Sequence, residues 1–223
     1  MKLLAIAFIS LTASTFADIT RAEALKIAER FVNHRWTAEE RHVRHGKDSA
    51  GIEIHTPDKV GGHANPTSDA WTADRENTGV AYKWGGWDTP EQFDAGLKKG
   101  RAAGDVYTME KRRKGGAAVS GECVGVDCSG FVSRCWALKK RESTSTLGGI
   151  SKKLASPAEL RPADVMNTAG GHVILFVRWL DNDKQRALFY EAAPFSKTRA
   201  VEHEIAELTS RGFVPLRYRE MKD

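Results

Sequence analysis

The sequence predicts an α+β fold, in which amphipathic helices and an antiparallel hairpin follow one another along the chain. Three observations carry this. Asp127 opens an amphipathic run in which Cys128, Phe131, Val132, Cys135 and Leu138 recur at helical spacing. Two β-branched and aromatic runs, 173–179 and 187–192, flank a polar turn around 181–184 and read as a hairpin. Thr20 and Thr89 each stand three residues before a Glu or Gln, the capping-box pattern of a helix start.

The chain begins with Met1-Lys2, an apolar run to Leu11, and small residues ending Thr15-Phe16-Ala17. A charged start, a short apolar core and a small-residue end make residues 1–17 a signal peptide, with cleavage expected after Ala17. The run is too short to span a bilayer, and no later stretch is apolar enough. The expected mature chain is therefore secreted or periplasmic. From Thr20 a helix is predicted to about Trp36, with Ala24, Leu25, Ala28, Phe31 and Val32 on its packing face. Residues 37–79 lose periodicity, apart from a short strand expected at 51–55. Histidines at 42, 45, 55 and 63 lie in this stretch without metal-ligand spacing, so a solvated loop is expected and no metal or cofactor. Residues 18–80 are expected to form a helix and an irregular segment packed on a domain at 81–223.

Tyr82-Lys83-Trp84-Gly85-Gly86-Trp87 places two glycines between aromatics, a sign of close backbone approach or of an aromatic core corner. Thr89-Pro90-Glu91-Gln92 starts the second helix, with Pro at its first position. Residues 100–121 read as a Gly-rich basic loop, and Lys111-Arg112-Arg113-Lys114 within it as solvated. Cys123, Cys128 and Cys135 are an odd number for an exported chain, which flags a free thiol. Cys123 and Cys135 could pair, or Cys135 could be plain core. After the hairpin, a helix is expected over 201–210, ending at Gly212, and then a strand over 213–219.

Cys128 in the first turn of a helix meets the positive end of the helix dipole, which favours a thiolate nucleophile. Most cysteines are simply small buried hydrophobes, so a base is needed to support a catalytic reading. His172 follows two glycines and precedes the first hairpin strand. Glu191 is a carboxylate in an otherwise apolar strand, which is costly unless the charge is paired. With Leu180 paired to Gln185, Glu191 falls opposite Ile174, on the same face as His172 and diagonal to it. A Cys128–His172–Glu191 triad is the expectation, with Glu191 orienting the ring.

Asp127-Cys128-Ser129-Gly130-Phe131-Val132 resembles the nucleophile motif of the NlpC-type, or p-sixty, cell-wall cysteine peptidases. Gly171-His172-Val173 resembles their histidine motif, and the 160–165 stretch their Leu-x-Pro-Gly-Asp segment, with Ala163 where Gly is usual. Tyr82-x-Trp84-Gly85-Gly86 resembles their Tyr-x-Trp-Gly-Gly segment. The resemblance covers roughly 81–194 with the motifs in order. It implies a papain-like fold, a nucleophile helix packed on a central antiparallel sheet, and hydrolysis of amide bonds in peptidoglycan peptides. It also implies substrate-binding or oxyanion roles near Tyr82, Trp84, Asp127 and Ser129. Two departures stand out: Glu191 replaces the usual His, Asn or Gln, and an insertion at about 88–125 separates the Tyr and Cys motifs.

The formal charge of +5 falls to about +4 once Lys2 leaves with the signal, a basic excess that suits cell-wall polymers. Nucleic acid is set aside for an exported chain with scattered basic residues. The competing readings are an acyltransferase or amidase using the same site, and a catalytically silent binding module.

Overall fold

The computed structural model describes residues 18–59 and 69–223. Residues 1–17, expected to be a signal peptide, and His63 lie outside the described residues. The fold is α+β. Its frame is a six-stranded antiparallel sheet formed by β1 (Ser151–Lys153), β2 (Val165–Asn167), β3 (Val173–Trp179), β4 (Arg186–Ala192), β5 (Thr198–Glu204) and β6 (Val214–Tyr218), in the order β5-β4-β3-β2-β6-β1. Five helices accompany it among the described residues: α1 (Arg21–Val32), α2 (Pro90–Lys98), α3 (Met109–Lys114), α4 (Cys128–Cys135) and α5 (Ile205–Ser210).

β3 shows why the sheet is central. Its residues alternate between two apolar layers, since successive side chains of a strand point to opposite faces. Val173 and Leu175 join the core with α1 and α4, whereas Ile174 and Phe176 join a second core that includes Leu208 of α5 and Phe213. α1 meets α4 through an edge-on contact of Phe31 with Phe131, ring centroids 5.5 Å apart. Two such buried rings each contribute about 1.5–3 kcal/mol through burial alone.

The helix starts behave as the capping boxes require. Thr20 accepts from the Glu23 N–H and Thr89 from the Gln92 N–H, with Pro90 at the first position of α2. α1 ends at Val32, short of the expected limit. Trp36 instead lies in a strand, Arg35–Thr37, paired with Glu76–Thr78. The strand expected at 51–55 is Glu53–His55, paired with His45–Lys47. α4 stops at Cys135, short of Leu138, because Ala137 takes a left-handed conformation with φ 50°.

Other expectations are corrected. Residues 201–204 are the end of edge strand β5, and only 205–210 are helical. Exposure alternates along β5, the mark of a strand, although its Ala and Glu content favours a helix on propensity. The 100–121 stretch contains α3, whose start is capped by Thr108 accepting from the Lys111 N–H. The basic run is thus helical, and Lys111 is buried against Asp105, also buried. His42 is buried too, its ring accepting from the Glu39 N–H and reaching the Leu97 carbonyl. All three cysteines are free and buried, with Cys135 in the main core and Cys123 in a small cluster beside Ile54 and Ala102.

The hairpin register differs at its turn and agrees at its far end. Leu180 donates to Arg186, not Gln185. A bulge between Phe176 and Arg178 absorbs the extra residue, after which Phe176 faces Phe189 and Leu175 faces Tyr190. Continuing that register sets Glu191 opposite Ile174, as expected. Among the described residues no helix is long and apolar enough to cross a membrane.

Candidate active site

The helix that carries Cys128 is built from its cap. Asp127 Oδ1 accepts from the Gly130 N–H at 2.6 Å and from the Ser129 hydroxyl at 3.0 Å, while Oδ2 pairs with Arg141. Cys128 is the first residue of α4 and is 7% exposed. The segment 82–87 runs alongside: Lys83 donates to the Val126 carbonyl at 3.2 Å and Asp127 to the Gly86 carbonyl at 3.0 Å. A Cβ on Gly130 would overlap that carbonyl, and a Cβ on Gly86 would overlap the Gly125 carbonyl. The glycines of the two motifs therefore let the 82–87 segment lie directly on the start of α4.

His172 sits just ahead of β3 at the end of the sheet. Its Nε2 lies 2.8 Å from Glu191 Oε2. Glu191 Oε1 accepts a two-pronged bond from Arg199, at 2.9 Å from Nε and 2.8 Å from Nη2. Arg199 occupies β5 directly across from Glu191 and pairs in turn with Asp69. The other ring nitrogen, Nδ1, is buried and without a hydrogen-bond partner. Burial works against a charged His172. The negative charge at Cys128, and then the hydrogen bond and charge of Glu191, outweigh it and raise its pKa to about 10. With Nε2 given to Glu191, Nδ1 is the nitrogen left for the sulfur. Glu191 responds in the opposite sense: burial pushes its pKa up, but His172 and then Arg199 bring it down to about 2.

The ion pair is therefore the favoured state, a protonated ring held by a carboxylate.

Cys128 and His172 open onto a cleft of about 670 Å³. Tyr82, Trp84, Asp127 and Ser129 all line it, so the structure brings every site residue expected from sequence to one place, with Glu191 behind the histidine. Their parts differ. Tyr82 is buried, and its hydroxyl is held protonated by burial first and then by negative charge at Cys128 and Asp127. A protonated phenol beside the sulfur is a hydrogen-bond donor. Asp127 has both carboxylate oxygens engaged and accepts only, so it positions α4. Ser129 donates to it. Trp84 stands against Tyr107, with ring centroids 5.6 Å apart, and its indole N–H reaches the Gly115 carbonyl at 3.3 Å.

Three arginines complete the site, two of them, Arg141 and Arg112, beyond the sequence expectations. Arg199 had a signal, because a third antiparallel strand after a short turn at 193–197 sets it opposite Glu191. Arg141 and Arg112 had none, since only tertiary packing brings them to the cleft. A separate cavity of about 500 Å³, lined by Ile52, His55 and Lys111, contains neither Cys128 nor His172. Among the described residues no group of three or more His, Cys, Asp or Glu side chains is arranged to hold a metal.

Comparisons with protein-family models, with curated proteins and with solved structures each found no match to this chain.

Proposed function

We propose that the chain is a cysteine hydrolase of the NlpC type, with a papain-like arrangement of nucleophile helix and histidine strand, that cleaves amide bonds in peptidoglycan peptides. The observation that carries the reading is the alignment of His172. Nε2 is held by Glu191 at 2.8 Å, while Nδ1 is left without a partner beside the sulfur of a helix-first cysteine. A purely structural ion pair does not require a thiol at its open end.

In the proposed reaction the thiol proton already rests on His172 Nδ1, and the thiolate Sγ of Cys128 forms a bond to the amide carbon. The developing oxyanion is held by the Cys128 backbone N–H, which has no intrahelical acceptor at the first helix position, and by the Tyr82 hydroxyl. Collapse breaks the C–N bond, and His172 gives its proton to the leaving amine. Water, deprotonated by His172, then attacks the thioester, the C–S bond breaks, the acid leaves, and the Cys128 thiolate is restored beside the protonated His172. Glu191 stays ionised throughout and steadies the imidazolium. The expected export through residues 1–17, with cleavage after Ala17, would bring the enzyme to its substrate.

The test is incubation of the mature chain with purified peptidoglycan fragments, with and without an amine acceptor, read by mass spectrometry. New carboxyl and amine ends support hydrolysis. Products carrying the added amine support acyl transfer from the same thioester. No change in the fragments would refute the proposal.

A further inference from the structure

The basic run at 111–114 is sorted by the short helix that carries it. Lys111 turns inward, where its ammonium pairs with Asp105 and reaches the Val106 carbonyl at 3.2 Å. Asp105 is itself fixed by the His55 N–H at 3.0 Å. Lys114 is on the outside, paired with Glu110 at 2.7 Å. Arg112 lines the cleft that holds Cys128 and His172. Its Nη2 comes within 3.8 Å of where a Cβ on Gly170 would stand, so the side chain reaches across to the turn just before the histidine.

The charges around that cleft are otherwise matched. Asp127 is paired with Arg141, and His172 with Glu191, which Arg199 also holds. Among the described residues, Arg112 is the cleft-lining charge with no ion-pair partner. A guanidinium presents a planar fork of donors that suits a carboxylate. Arg112 is itself exposed, and the buried Lys111–Asp105 pair fixes the backbone of α3 one residue away.

Resting on the hydrolase reading, we infer that Arg112 binds a free carboxylate of the substrate beside the scissile amide, so that the enzyme selects acidic peptides over their amidated counterparts. Trp84 and Tyr107 form the adjoining apolar wall. The insertion that sets this chain apart from the resembled family thus supplies a specificity element.

Binding to Cys128→Ala tests this without any turnover. The probes are a peptidoglycan-type tripeptide with its carboxyl groups free and the same peptide with them amidated, measured by calorimetry. The expected result is about 10- to 100-fold tighter binding of the free form, the range for a charge-assisted pair. In Cys128→Ala/Arg112→Gln that preference should vanish, and in Cys128→Ala/Arg112→Lys it should return in part. A preference that survives Arg112→Gln, equal binding of both forms by Cys128→Ala, or binding of neither overturns the inference. Turnover of either peptide by the wild-type chain is scored separately, and its absence would sink the hydrolase reading while leaving the binding result to stand.

Discussion

Glu191→Gln is the substitution whose outcome depends most on what surrounds the residue. The carboxylate serves two donors, His172 on one oxygen and the two-pronged Arg199 on the other. An amide has one oxygen and one NH2, so one donor must lose its acceptor. Arg199 competes with two charge-assisted bonds against one for His172. The difference is one such bond, about 1.5–3 kcal/mol, or roughly a 10- to 100-fold bias toward oxygen on Arg199. The NH2 then faces Nε2, which forces the ring proton of the neutral imidazole onto Nδ1, the atom proposed to accept from Cys128. Loss of the negative charge beside the imidazolium adds to this, so kcat should fall about 1,000-fold, between the rotamer bias alone and the roughly 10⁴-fold cost of a wrong tautomer in a serine triad. KM should move little. The assay is steady-state hydrolysis of a peptidoglycan peptide, followed by the same measurement in Glu191→Gln/Arg199→Met. Removing the arginine frees the amide oxygen for His172, so the second substitution should restore about tenfold of the lost rate. A Glu191→Gln enzyme within about threefold of wild type, or a further drop on adding Arg199→Met, would refute the reasoning.

Further outcomes follow from the same geometry. His172 has its pKa raised from 6.5 to about 10, so its contribution to stability is complete below 6.5 and fades as pH climbs to about 10. Glu191 has its pKa lowered from 4.5 to about 2, so its contribution is complete above 4.5 and fades as pH drops to about 2. Denaturant midpoints should therefore favour wild type over Glu191→Gln most strongly between pH 4.5 and 6.5, and a pH-independent difference would contradict the pairing. Iodoacetamide should label Cys128 before the other two thiols, since Cys123 is fully buried with a pKa pushed by burial to about 12 and Cys135 is fully buried and raised as well. Peptide mapping of the native protein checks this. Lys111→Met should cost about 3–5 kcal/mol of unfolding free energy by stranding Asp105, and Lys111→Met/Asp105→Leu should recover most of it. Asp127→Ala should lose about 1 kcal/mol for the cap alone, and Asp127→Asn, which can still cap, should lose less; thermal melts rank the two.

The parts of the site legible in the sequence are those fixed by local or two-strand rules. Asp127 as a cap and Cys128 as the first helical residue follow from side-chain chemistry within one turn. The meeting of His172 and Glu191 follows from the two-residue repeat of a hairpin. That inference reached the right pairing from a turn set one residue off, because the bulge beyond Phe176 shifted the register back before the site. Bulges leave no mark in an alternating apolar run. The end of β5 was illegible for another reason. An edge strand half open to water carries Glu and His at alternate positions, and those residues suit a surface helix equally well. Lys111 looked solvated because its counter-ion, Asp105, lies outside the helix that buries them both. Arg141 and Arg112 come to the cleft only through packing that no local pattern encodes.

The most direct measurement of the central claim compares wild type with Cys128→Ala on purified peptidoglycan fragments, products being read by mass spectrometry. Wild type should convert amide-linked peptides into pieces whose masses together exceed the parent by one water, and Cys128→Ala, folded to the same melting temperature, should leave them intact. Equal cleavage by the two proteins, or none by wild type, would contradict a cysteine hydrolase built on Cys128, His172 and Glu191.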